Sequence, residues 1–345
     1  MKWPKLTADP ASRCLAWALA LTLLACLPLG VETQGSVYRY LAVVDITRSM
    51  NVTDYSLGNR MVSRLDFVRH ELRDAVARLP CDSQLGLGVF TERTSTLLFE
   101  PIEVCAGFYE ITQALEKLDW RMAWAADSRI AAGLLDAFNT LAGYQADLVF
   151  LTDGQEAPPV NPRYKTRFDA VRGRLRGLLI GVGGSTPLPI PKFDESGKPL
   201  GFVAQDEVPQ RSTFGLSEMA PGDIEGYHAR NAPFGSAPLN GTEHLSALRE
   251  DYLREMAGES GLGYRRLEAG SLVSALLQPD FAKPSRVFVD WRWIPATLAL
   301  ALTTLAFLQD RIRRLDALLA RFRPARSWMM ARPRWLRGRN PTLYP

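Results

Sequence analysis

Asp45-Ile46-Thr47-Arg48-Ser49 sets a carboxylate and two hydroxyls at alternate positions directly after an apolar run, and Asp153 stands at the end of a second such run. Alternate side chains of an extended segment point the same way, so Asp45, Thr47 and Ser49 can converge on one spot. Between them, Asp127-Ser128-Arg129-Ile130 offers another hydroxyl at a helix start. Hydroxyls, carboxylates and water make an all-oxygen shell that suits a hard divalent cation, Mg²⁺ first, with Mn²⁺ or Ca²⁺ as alternatives. Single aspartates at strand ends are usually helix caps or solvated turns. Two carboxylates and three hydroxyls in this order favour the ion, with one coordination position open to a carboxylate from a protein partner.

Catalysis has little to work with. The chain has three histidines, His70, His228 and His244, none placed near these loops in sequence, and no Ser or Cys in a recognisable nucleophile motif. The expectation is therefore a binding module and not an enzyme. A metal-assisted hydrolase stays open as an alternative, because two carboxylates and a cation can activate water. So does a structural protein with a vestigial site.

The elements that must position these residues alternate between strand-like and helix-like. Residues 38–44 form a nearly continuous apolar strand, and Ser63-Arg64-Leu65-Asp66 reads as a helix start with a capping box. Leu65, Val68, Leu72, Val76 and Leu79 continue that helix until Pro80 ends it. Residues 85–90 and 95–99 make a hairpin around Thr91-Glu92-Arg93-Thr94, and helices follow at 108–118 and 130–141. Buried strands are expected at 148–151 and 175–182. The glycines at 181, 183 and 184 resemble a dinucleotide loop but lack its third glycine and following helix, so a plain turn is expected. Leu245, Leu248, Tyr252, Leu253 and Met256 read as one helix, followed by a strand at 263–267. The pattern predicts an α/β fold: a doubly wound, mostly parallel sheet with one antiparallel edge strand.

Charge divides the chain further. The net charge is +4, yet residues 309–345 hold ten arginines against two aspartates, a local +8, and residues 1–26 carry +2, which leaves the middle at −6. An acidic body argues against nucleic-acid binding. The apolar runs at 14–31 and 294–308 read as membrane segments, and the basic ends place both termini on the cytoplasmic side and the acidic middle outside. The expected layout is a signal anchor or signal peptide at 1–35, a main domain at 36–280 with a long excursion at 192–241, a transmembrane helix at 290–309 and a basic cytoplasmic tail at 310–345. Leu23-Leu24-Ala25-Cys26 also resembles a bacterial lipobox, which would make Cys26 an acylation site. All three readings of the first run give the middle the same topology: a bacterial inner-membrane protein with a periplasmic domain.

The order of the oxygen-bearing residues resembles the von Willebrand A family, whose metal-ion-dependent adhesion site has a D-x-S-x-S loop, a threonine in a second loop and an aspartate in a third. The resemblance implies that Asp45, Ser49 and Asp153 take the family roles, with Thr47 replacing a serine and Ser128 a threonine. A narrower resemblance is to MxaL-type membrane-anchored proteins that accompany bacterial methanol dehydrogenase. It is carried by DITRSMNV (45–52), by residues 79–93 with their cysteine, and by MAWAADSR (122–129). It implies a role in maturing that enzyme, including calcium insertion, and a cytosolic MoxR-type ATPase as a further partner. Bat-like membrane von Willebrand A proteins share the layout and are the alternative.

A disulfide is also expected. A hairpin centred on Arg93 pairs Leu87 with Phe99 and Val89 with Leu97, and the same register sets Cys81 opposite Cys105. An oxidising compartment permits the bond.

Overall fold

The computed structural model describes residues 10–123, 127–160, 165–208 and 241–321. In chain order the elements are α1 (Pro10–Ala25), β1 (Gly30–Val37), β2 (Arg39–Asp45), β3 (Tyr55–Leu57), β4 (Arg60–Val62), α2 (Arg64–Arg78), β5 (Gln84–Thr91), β6 (Thr94–Glu103), α3 (Phe108–Glu116), α4 (Ile130–Leu141), β7 (Asp147–Thr152), β8 (Gly177–Gly181), β9 (Leu188–Pro189), β10 (Pro191–Phe193), β11 (Pro199–Phe202), β12 (Leu245–Ser246), α5 (Glu250–Ser260), β13 (Gly263–Arg266), α6 (Ser271–Leu276), β14 (Lys283–Asp290) and α7 (Trp293–Arg321).

Six strands form the central sheet in the order β13-β8-β7-β2-β5-β6. All neighbours are parallel except β5 and β6, whose antiparallel pairing puts the expected odd strand at the edge. The apolar run at β2 works because both faces of the sheet are covered. Tyr40, Ala42 and Val44 enter one core with Val68, Leu72 and Leu115, while Leu41 and Val43 enter the other with Leu134, Phe138 and Leu253. Ser63 caps the helix as expected, the Asp66 N–H donating to Ser63 Oγ at 3.0 Å, but in place of the reciprocal half of a capping box the Asp66 carboxylate accepts the Ser63 hydroxyl at 2.7 Å.

Cys81 and Cys105 are bonded, S–S 2.00 Å, but the hairpin register differs from the expected one. Leu87 faces Phe99 as predicted, whereas Val89 faces Thr96 and Gly88 faces Leu97, because irregularities on either side of Leu87 shift the ladder. The cysteines lie beyond the strand ends. There the Glu103 carboxylate gathers the N–H groups of Asp82, Cys105 and Ala106, drawing the two turns together. Leu245 is likewise not helical: it lies in β12, paired with β9, and α5 starts five residues later.

The chain divides into two compact units, residues 34–287 and a smaller one made of 1–33 and 288–345. In the smaller unit α1 packs on α7, with Ala18, Ala299 and Ala306 buried and Trp17, Leu19, Leu23, Trp293, Leu300 and Phe307 exposed. Among the described residues no helix is long and apolar enough to cross a membrane. The expected span over 290–309 is not shown: β14 runs to Asp290, and the apolar part of α7 ends at Leu308, before Gln309 and Asp310. Residues 294–308 rise about 22 Å at 1.5 Å per residue, against a hydrocarbon thickness of about 30 Å. The expected tail beyond residue 321 lies outside the described residues.

Candidate metal centre

β2 and β7 are adjacent and parallel, so their carboxyl ends deliver Asp45 and Asp153 to the same edge of the sheet. Both are fully buried. After Asp45 the backbone turns into a short 3₁₀ segment, Arg48–Asn51, whose cap position at Thr47 is extended. Thr47 and Ser49 therefore project together, with their hydroxyls 3.3 Å apart. Ser128 arrives from a third loop strung between two others. Its N–H donates to the Ala157 carbonyl at 2.7 Å, and the Arg129 N–H donates to the Glu92 carbonyl at 2.6 Å. Ser128 is no helix cap, since α4 has no side-chain cap, and its hydroxyl is buried without a hydrogen-bond partner.

Thr47, Ser49 and Ser128 line one small cavity of ≈ 20 Å³, with Gln155 and Glu243 also on its polar side. That volume holds about one water-sized sphere. Gln155 Oε1 is a second buried acceptor with no partner. Ala157, Ile190, Val203 and Val208 form the apolar side. Ile190 and Val203 pack on Val52 in a small core of their own.

The two aspartates are held in different ways. Asp45 Oδ1 accepts the Thr47 N–H at 2.9 Å, and Oδ2 accepts the Thr152 hydroxyl at 2.6 Å. Burial first, and then the neighbouring Asp153 charge, push the Asp45 carboxyl up to about 7. Asp153 Oδ1 accepts the Gln155 N–H at 3.0 Å, while Oδ2 accepts Arg64 Nη1 at 2.8 Å and Ser246 Oγ at 2.9 Å. Arg64 is wholly buried and turns its other edge to Asp54 Oδ2, 2.9 Å from Nε and 2.7 Å from Nη2. Burial works to lower the Arg64 pKa, but Asp153 and Asp54 outweigh it and hold the guanidinium above its ordinary value. The glycine run after β8 makes room for it: Gly183 has φ +118°, and a Cβ there would lie 2.7 Å from Arg64 Nε.

The donor set fits a hard divalent cation. Two orphaned acceptors, Ser128 Oγ and Gln155 Oε1, are buried in residues that line the cavity, and both Asp45 oxygens and Asp153 Oδ1 keep a lone pair beyond the bonds just described, whereas Asp153 Oδ2 is taken up by Arg64 and Ser246. Of the five residues read from the sequence, Thr47, Ser49 and Ser128 line this cavity, while Asp45 and Asp153 stand at the ends of the neighbouring strands β2 and β7. The structure adds four that were missed: Arg64, Asp54, Thr152 and Glu243. Arg64 follows a helix cap and reads locally as an exposed first-turn residue. The signal for it lay in the glycines at 183 and 184.

Residues 40–155, about a third of the chain, match the family model described as von Willebrand factor type A domain. No curated protein matches the chain. Among solved structures, an aerotolerance-related membrane protein from Bacteroides fragilis is 15% identical, with 69% of this chain and 96% of that chain covered, TM-score 0.42. A von Willebrand factor type A protein from Catenulispora acidiphila is 11% identical over 78% of this chain and 46% of its own, TM-score 0.38. Proximal thread matrix protein 1 from the mussel byssus, with a zinc-occupied MIDAS motif, is 14% identical over 44% and 40%, TM-score 0.27.

Proposed function

We propose that this chain is a membrane-tethered, non-catalytic module that binds a protein partner through a divalent cation, Mg²⁺ in the first instance, held by Asp45, Thr47, Ser49, Ser128 and Asp153. One observation carries the reading: three hydroxyls from two loops line a single small cavity, and two of its lining residues, Thr47 and Gln155, donate their N–H groups to the buried carboxylates of Asp45 and Asp153. A bound dication would offer an electrophilic position that a partner's Asp or Glu could fill, because the three hydroxyl ligands add no negative charge to that of the two carboxylates. Thr47 and Ser49 orient the open side, Ser128 closes it from the third loop, and Arg64 fixes the Asp153 carboxylate. The membrane part of the reading is supported by the exposed Trp and Leu side chains of α1 and α7, which give this helix pair an apolar outer face suited to a lipid surface.

The finer reading is an accessory factor for periplasmic methanol dehydrogenase, acting in its maturation or calcium loading, with a cytosolic MoxR-type ATPase as second partner. Its support is the likeness of residues 45–52 and 122–129 to MxaL-type proteins. Of these, residues 124–126 lie outside the described structure.

Mn²⁺ binding followed by electron paramagnetic resonance on the detergent-solubilised full chain tests the metal. Wild type should bind one ion and Asp45→Ala none, while both keep the same far-UV circular dichroism. Purified methanol dehydrogenase should be retained by wild type without EDTA and released with it. Equal retention by wild type and Asp45→Ala, with and without EDTA, would refute metal-dependent binding.

A further inference from the structure

The cavity contains a carboxylate that the adhesion-site pattern does not supply. Glu243 lies between the excursion and β12, far in sequence from the three loops that carry the site, yet it lines the same ≈ 20 Å³ space as Thr47, Ser49 and Ser128. It is only 9% exposed. Its main chain is clamped: the Glu243 carbonyl accepts Gln155 Nε2 at 2.8 Å, and the same amide nitrogen also donates to the Leu245 carbonyl at 3.2 Å. Its carboxylate, by contrast, accepts no hydrogen bond from any described residue. Its nearest cation, Arg249, is 4.0 Å away and 44% exposed.

A buried carboxylate with so little compensation is expensive unless something positive joins it. The surroundings do not provide enough. The one buried guanidinium, Arg64, is already shared by Asp54 and Asp153, while Arg249 and Arg48, the latter on the cavity's lining, are exposed. In a space this small, an ion reached by Thr47, Ser49 and Ser128 is also within reach of Glu243.

We infer that Glu243 is an internal ligand of the metal site, filling from within the chain the coordination position that a partner's carboxylate would take. This rests on the metal-binding reading above. The partner must then displace Glu243, so Glu243 sets the affinity for partners by competing with them.

Mn²⁺ on the full chain is the probe, read by paramagnetic resonance for affinity and by water-proton relaxation for the number of exchangeable waters on the bound ion. Glu243→Gln keeps the side chain's size and removes its charge. It should weaken Mn²⁺ about tenfold or more, since ligand charge sets affinity at such sites. Its bound ion should carry more exchangeable water than the wild-type ion, and added acetate should displace that water in the variant but not in wild type. Glu243→Ala should behave in the same way, and unchanged thermal melting in EDTA would show that neither variant has lost the fold. Identical affinity and relaxivity in wild type and Glu243→Gln, with binding still lost in Asp45→Ala, overturns the Glu243 assignment alone. Absence of Mn²⁺ from wild type overturns both readings.

Discussion

Two neighbouring strands end in a buried aspartate, and the protein treats the two carboxylates differently. Asp153, at the end of β7, shares its charge with the Arg64 guanidinium, which is itself pinned by Asp54 and Ser246. Asp45, at the end of β2, has no cation. Thr47 and Thr152 supply its hydrogen bonds among the described residues, and its carboxyl is pushed up to about 7. The pair could not share one cavity edge as two bare charges, because like carboxylates in a dry site resist joint ionisation. The fold neutralises one permanently with arginine and leaves the other for a proton or a metal ion. The comparison says that Asp153 belongs to the scaffold as much as to the site, whereas Asp45 is the part that responds to its ligand.

The largest expected effect breaks the scaffold half. Arg64→Met should lower stability by about 3–5 kcal/mol, the cost of leaving buried charges unpaired. For a domain of this size that is a fall of about 6–20 °C in melting temperature, measured in EDTA so that no metal compensates. An exposed pair such as Arg73–Glu116, both about half exposed, should cost about 0–1 kcal/mol when broken in the same way. A drop of that smaller size for Arg64→Met would mean that Asp153 is held no more firmly than a surface ion pair, and the contrast would collapse.

The next effect tests the responsive half through pH. Because the folded-state pKa of Asp45 is raised, the folded metal-free chain keeps a proton that the unfolded chain has lost. The Asp45 contribution to stability is therefore greatest at low pH and declines as pH rises from about 4 to about 7. Metal runs the other way, since it needs the ionised carboxylate. Apparent Mn²⁺ affinity should rise about tenfold per pH unit up to about 7, equivalent to about 1.4 kcal/mol per unit, and level off above. Titration calorimetry at pH 5.5, 6.5, 7.5 and 8.5 checks this. An affinity flat across that range would show that Asp45 is ionised without the metal, and that the two aspartates do not differ as described.

Most of the frame and the roster of oxygen donors could be read from the sequence, because both depend on local pattern. The apolar run at 38–44 reports a strand buried on both faces, and the Ser63–Asp66 spacing reports a helix start. The order of Asp45, Thr47, Ser49, Ser128 and Asp153 points to oxygen donors on neighbouring loops, and three of them, Thr47, Ser49 and Ser128, line one cavity. What local pattern does not carry is tertiary neutralisation. Arg64 and Asp54 meet Asp153 only after α2 has docked on the sheet, and Glu243 reaches the cavity only because β12 pairs with β9. Periodicity misled at Leu245, where apolar spacing continuous with α5 belongs to a two-residue strand, and in the hairpin, where irregular pairing shifted the register between Leu87 and the cysteines.

The smallest expected effect sharpens the comparison at a single atom. Thr152 is fully buried, its hydroxyl donates to Asp45 Oδ2 at 2.6 Å and accepts the Gly154 N–H at 3.0 Å, and its hydrogen bond is among the interactions that lower the Asp45 pKa. Thr152→Val exchanges that hydroxyl for a methyl of nearly the same shape, so packing should survive while Asp45 loses a donor to its charged form. The lost bonds should cost about 1 kcal/mol in stability. More tellingly, the pH at which Mn²⁺ affinity levels off should move upward, because the ionised carboxylate has lost part of its support. Asp153 does not bond to Thr152, so its arginine contact should stay in place and metal should still bind fully at pH 8.5. A stability loss without a shift in the pH profile would assign Thr152 to packing alone, and would leave the Thr47 N–H as the hydrogen bond that sets the Asp45 response.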